Sequence, residues 1–310
     1  MPDPVLHFST PLPRSGQTRA YWRAPASTTA LACALAAAAH QHHGPLLVVA
    51  RDNHAAHQLE ADLRVLLAGN LQLPVLGFPD WETLPFDRFS PHPEIVSQRL
   101  ATLAQLPALT RGIVIVPATT LMQRLAPRGH VLGNRFDLKL GQRLDLDTEK
   151  RRLEAAGYRH VPQVFDPGDF AVRGGLLDVY PMGAQTPFRI ELLDDEIESI
   201  RIFDPDSQRS LEKISAIALL PGREVPMDDA HVQRALGTLR ERFDIDTRRS
   251  ALVHDLKAGL APAGIEYYLP LFFEKKRGAE HATETLFDYL PDALPVVCEG
   301  APDATDTAWA

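Results

Sequence analysis

The chain has 310 residues, 45% of them hydrophobic and 23% charged, with a net charge of −8, as expected of a soluble globular protein with room for two or three compact units. The acidic balance argues against binding driven by phosphate neutralisation, and no apolar run approaches the roughly 20 residues needed to cross a bilayer. Two distant cysteines, Cys33 and Cys298, form neither a disulfide framework nor a CxxC zinc signature, in keeping with a reducing cytoplasm.

In chain order, the first predicted element is an alanine-rich helix around Leu31–Ala39, packed on a sheet. The hydroxyl-bearing segment before it, Ala24–Thr29 (APASTT), reads as its N-cap. Leu46–Ala50 is wholly apolar, as buried parallel strands are. Asp52 then caps a helix reaching Leu67, with Ala56, Leu59, Leu63 and Leu66 at helical spacing. A second strand is predicted near Leu73–Phe78, followed by the irregular stretch FPDWETLPFDRFSPHP and a helix over Glu94–Leu106. Ile113–Ala118 (IVIVPA) is the next buried strand, and Thr119 or Thr120 is expected to cap the helix after it. Strands alternating with helices build a parallel sheet, here assigned to residues 1–127.

From about residue 135 the pattern becomes mixed α+β. RFDLKL alternates, the amphipathic helix within TEKRRLEAAG stops at Gly157, and short strands follow. Gly174–Gly175 falls where the alternation changes parity, which requires a bulge or tight turn. Asp194–Asp195–Glu196 lies between two alternating runs and reads as a hairpin loop. Helices return after Pro221, over Asp228–Phe243 and Thr247–Lys257, and Pro295–Gly300 (PVVCEG) is a late buried strand. If that strand rejoins the first sheet, residues 135–221 are an insertion and 222–310 complete the α/β unit. The N-terminus lacks the pattern of a signal peptide. The small, polar ending APDATDTAWA suggests a cut in a longer protein.

An α/β unit invites a search for a phosphate-binding loop, whose lysine reaches the terminal phosphates. None exists, and the first lysine of the chain is Lys139. ATP binding by that route is excluded, and no catalytic, cofactor-binding or metal-ligating residue is assigned. Consecutive carboxylates at 194–196 point to opposite faces of a strand and read as turn chemistry. The histidines at 40, 42, 43, 54 and 57 match no ligand spacing. Aromatics in WETLPFD (Trp81–Asp87) could stack on bases, yet without a cationic surround they read as packing.

Arg173, Arg189 and Arg201 remain. On the strand starting at Phe188, residues Phe188, Ile190 and Leu192 share one side, and Arg189, Glu191 and Leu193 the other. Segment 135–221 holds 12 Lys/Arg against 16 Asp/Glu, net −4. On such a background the arginines read either as solvated or paired to Glu191 and Glu198, or as ion-pair donors presented outward to a protein partner.

The strings FPDWETLPFDRFSPHPEIVSQRL, IVIVPATTLMQRL and GYRHV…DPGDFAVRGGLLDVYPMG…PFRIELLDDEIESIRIFDPDSQRS resemble the N-terminal third of the bacterial transcription-repair coupling factor (Mfd) family, over about residues 45–275. The resemblance implies an α/β, parallel-sheet, helicase-like (UvrB-like) domain in two sequence segments, 1a and 1b, with an inserted mixed α+β domain 2. It implies a non-catalytic adaptor that recruits nucleotide excision repair through UvrA. By motif the UvrA contacts fall on Arg173 in FAVRGG, Arg189 in PFRIE, and Leu193 in ELLDDE, where the family often has an aromatic. It further implies an ATP- and Mg-dependent DNA translocase motor, contacts with RNA polymerase and duplex DNA, and a domain masking domain 2, all beyond residue 310. Two UvrB features are missing here: the ATP-binding loop, and the long DNA-clamping hairpin, whose place WETLPFD takes.

Overall fold

A computed structural model describes residues 10–14, 17–23, 25, 27–68, 73–85, 87–243, 249–275 and 282–309. In chain order the elements are α1 (Thr28–Gln41), β1 (Pro45–Ala50), α2 (Asn53–Leu67), β2 (Val75–Gly77), α3 (Pro93–Gln105), β3 (Gly112–Pro117), α4 (Ala118–Leu121) and α5 (Arg128–Gly133). Then come β4 (Phe136–Lys139), α6 (Leu146–Ala156), β5 (Arg159–His160), β6 (Asp169–Arg173), β7 (Leu176–Val179), β8 (Phe188–Leu193), β9 (Glu196–Phe203), β10 (Ser210–Ile214) and β11 (Ala216–Leu219). Last are α7 (Asp229–Arg242), α8 (Ala251–Lys257), α9 (Leu286–Tyr289), β12 (Leu294–Val297) and α10 (Ala301–Trp309).

Chain contacts divide these into two compact units, one of residues 1–80, 105–123 and 285–310, the other of 81–104 and 124–284. This grouping differs from the expected boundaries, because 222–284 packs with the inserted strands and only 285–310 shares a unit with the parallel sheet.

The first unit is a four-stranded parallel sheet in the order β12-β1-β3-β2. Every residue of β1 and β3 is buried, which is why both read as unbroken apolar runs. The late strand pairs directly with β1, Leu46 opposite Leu294 and Val49 opposite Val297. Alanines let α1 lie close, and seven of its residues are buried. The Ser27 hydroxyl caps this helix by accepting from the amide of Ala30, as Asp52 does for α2 from Ala55.

One expected cap is absent. The helix after β3 spans only Ala118–Leu121 and is preceded by Pro117 with no side-chain cap. The hydroxyls of Thr119 and Thr120 instead donate to Asp80 Oδ2 at 3.0 and 2.8 Å. An accepting carboxylate at the end of an adjacent strand outcompetes the local backbone.

The second unit contains a six-stranded sheet, β10-β9-β8-β7-β6-β5, antiparallel except for β5 beside β6. β4 and β11 pair separately, Phe136 opposite Leu219, so the two ends of the inserted segment meet. Gly157 ends α6 in the left-handed region at φ 97°, and Arg223 packs so closely on it that a Cβ there would meet the arginine Cγ at 2.5 Å. Gly174 at φ 58° opens the turn between β6 and β7, where the parity change required one. Asp194 at φ 54° does the same between β8 and β9, and Glu196 already belongs to the strand. The predicted helix start at Thr247 lies outside the described residues; α8 begins at Ala251, capped by Ser250.

Trp81, at the head of WETLPFD, is buried. Its Nε1 donates to Glu224 Oε1 at 3.1 Å, its ring meets Tyr267 edge-on at 5.2 Å, and the Arg99 guanidinium covers it at 4.6 Å. Arg99 and Glu224 are themselves inside the fold, 0% and 1% exposed at their side chains, with Nε–Oε1 at 2.5 Å. Packing, not presentation, is the use of this tryptophan.

Candidate partner-docking surface

The polar face of the six-stranded sheet follows from strand register. Residues opposite one another point to the same side, so Ala171, Asp178, Arg189 and Arg201 form one row across β6, β7, β8 and β9. Arg173, Leu176, Glu191 and Ser199 form the next, and Leu193 with Glu196 the third. The side predicted to carry Arg189, Glu191 and Leu193 together is therefore the side they share. From Arg173 to Leu193 is one row along and two strands across, on the order of 12 Å.

The expected open presentation of both arginines needs correction. Asp178, with a side chain 1% exposed, accepts from Arg189 Nε at 2.7 Å through Oδ1 and from Nη2 at 2.8 Å through Oδ2. Its Oδ2 also accepts from Arg173 Nη2 at 2.6 Å. Both guanidinium groups are thus paired from inside the module to one shared carboxylate, rather than to Glu191 or Glu198. Glu191 instead accepts from the Ser199 hydroxyl at 2.7 Å.

The two arginines are not equivalent. Arg189 is 15% exposed at its side chain, also donates through Nη1 to the Gln208 carbonyl at 3.1 Å, and lies over the Phe203 ring at 4.8 Å. Hydrogen bonds to Asp178 raise its pKa above an already high value. Phe203 packs with Val164 and Ala171, so this end of the sheet is covered on its polar side as well. Arg173, at the end of β6 beside the Gly174 turn, keeps 49% of its side chain exposed. Leu193 is 63% exposed.

Asp178 went unnoticed in the sequence because it sits within the apolar run LLDVY. Its signal was there: an acid at a buried strand position, opposite an arginine once the hairpin register is counted out. The Arg99–Glu224 pair was missed for a different reason, since 125 residues separate its members.

Other groupings offer less. A cavity of ≈ 320 Å³ is lined by Ser90, Arg159, Arg223, Glu224 and Glu266, among others. Its carboxylates are engaged, Glu224 by Arg99 and Glu266 by the Ser90 hydroxyl. At the start of α1 the Ser27 hydroxyl is used in capping and that of Thr29 donates to Asp62, and the first lysine of the chain is Lys139. Among the described residues no group of three or more His, Cys, Asp and Glu could hold a metal ion, and no helix is long and apolar enough to cross a membrane.

Residues 136–224 match the family model of the UvrB interaction domain. The chain is 43% identical over 265 residues to the transcription-repair-coupling factor of Escherichia coli, covering 85% of this chain and 22% of that protein. It is 45% identical over 262 residues to that of Haemophilus influenzae, covering 84% and 22%, and 37% identical over 276 residues to that of Myxococcus xanthus, covering 86% and 23%. The chain thus spans less than a quarter of the length of these relatives. Over most of its length it is similar to the bacterial transcription-repair-coupling factors, and its strand-rich segment matches the UvrB interaction domain.

Proposed function

We propose that this chain is the adaptor segment of a transcription-repair-coupling factor, and that its polar sheet face docks onto UvrA through Arg173 and Leu193, with Arg189 bracing the contact from beneath. The observation that carries this reading is the state of Arg173: one nitrogen is fixed on a buried carboxylate while half the side chain faces solvent. A guanidinium held in that way has donors left for an acidic partner and little rotamer freedom to lose. Leu193 supplies an exposed apolar contact on the same face. The α/β unit serves as a scaffold with no chemistry of its own, in a UvrB-like arrangement of two segments around the insertion. The ATP-driven motor and the contacts with RNA polymerase and DNA belong to other parts of the parent protein.

Titration with purified UvrA tests the reading. Arg173→Ala should weaken binding by about 30- to 1,000-fold, the range for losing an interfacial hot-spot arginine. Leu193→Ala should weaken it by about three- to tenfold. Affinity equal to the parent's in Arg173→Ala would retire the assignment.

A further inference from the structure

We infer that Asp178 is a positioning residue for partner binding, acting through Arg173; this rests on the docking reading above. Asp178 occupies the middle of the sheet and is almost wholly buried, yet both its oxygens accept from guanidinium groups, one of them from two at once. A carboxylate taken so far out of water is costly unless paired, and here its pairing has a geometric result. Arg189 forks onto both oxygens, which fixes the carboxylate plane. The fixed Oδ2 then anchors one nitrogen of Arg173 at 2.6 Å.

Asp178 also settles a charge conflict. Arg189 stands directly opposite Arg201 on β9, and Lys213 of β10 stands opposite Arg201 in turn. Like charges directly opposite one another repel. Without the carboxylate, Arg189 in that row and Arg173 in the next would stand as unpaired cations and turn toward solvent in many rotamers. An acidic surface approaching the face would then meet more positive charge in less defined positions. The aspartate thus trades net charge for orientation, and orientation governs how long a complex lasts.

A double-mutant cycle on the intact chain with UvrA as probe separates this from a merely structural role. Asp178→Asn should weaken binding about tenfold, mostly through faster dissociation. In the Arg173→Ala background the same change should add less than about twofold, because the group it positions is gone. Asp178→Glu, which keeps the charge and moves the carboxylate by one methylene, should fold and still lose most of the Arg173-dependent affinity, a readout that survives if Asp178→Asn does not fold. Independent, multiplicative effects of the two substitutions, or parental affinity in Asp178→Glu, would overturn the inference while leaving docking through Arg173 standing. Parental affinity in Arg173→Ala would remove both.

Discussion

Two carboxylates in the strand-rich unit are buried to the same degree and used in opposite ways. Glu224 and its arginine are both sealed, the guanidinium sandwiched against Trp81 with no solvent on either partner. Asp178 is as deeply placed, but its arginines grade outward, one 15% and the other 49% exposed. Burial of an acid alone therefore says little about function. What differs is whether the cation is left a path to solvent. A sealed pair can only hold the fold together, or fix which fold forms. A half-open one can hold a donor toward a partner.

The comparison can be broken first at its sealed end. Glu224→Ala leaves Arg99 charged with no exposure, and removing one member of a buried pair costs about 3–5 kcal/mol. Urea denaturation should show that loss, with UvrA affinity of the folded protein unchanged. Affinity falling in parallel would mean that the sealed pair reaches the docking face. Arg189→Ala should come next, at about 2–3 kcal/mol, because Asp178 keeps Arg173 as a second partner. A loss below about 1 kcal/mol would place Arg189 with the solvated arginines instead.

A third, half-buried group sharpens the contrast, since it avoids the cost of charge by staying neutral. His130 on α5 meets His231 and Phe273 edge-on at 5.9 and 5.4 Å, and its Nε2 is buried without a partner. Burial, with His231 adding to it, lowers its pKa from 6.5 to about 4. Between those values the unfolded chain binds a proton that the folded chain refuses. Its contribution is therefore complete above pH 6.5 and declines as pH falls toward 4. The decline should reach about 3 kcal/mol in thermal or urea unfolding across that window. His130→Phe should flatten that part of the profile, and an unaltered slope would place the titration elsewhere.

Periodicity carried most of the fold. Leu46–Ala50 and Ile113–Ala118 were legible as buried parallel strands because both faces are covered. The late run Pro295–Gly300 was legible as a strand but not as a buried one, since β12 spans Leu294–Val297 at the sheet edge with Val297 58% exposed. The turn at Gly174 followed from parity, and that at Asp194 from its place between two alternating runs. Side-chain partners over long sequence separations were not legible. Thr119 and Thr120 bind Asp80 across 39 and 40 residues instead of capping their own helix. Trp81 closes on Glu224 across 143 residues. The candidate docking face was half legible: alternation puts Arg189 and Leu193 on one side, but only register shows that Asp178 lies beside Arg189.

The smallest effect on stability is expected at Arg173, and it is the one that bears most on function. Its side chain is half exposed, so the pair with Asp178 is screened by solvent, and Arg189 still neutralises the carboxylate if Arg173 is removed. Arg173→Ala should therefore lower unfolding stability by less than about 1 kcal/mol, while Arg189→Ala lowers it by more than twice that. In the UvrA titration the order of importance should reverse, Arg173 mattering through contact and Arg189 through support. Measuring both quantities for both variants decides whether exposure is what separates a bracing arginine from a docking one. If stability and affinity fall in the same proportion for each, the two arginines are one structural unit, and the graded exposure around Asp178 has no bearing on partner recognition.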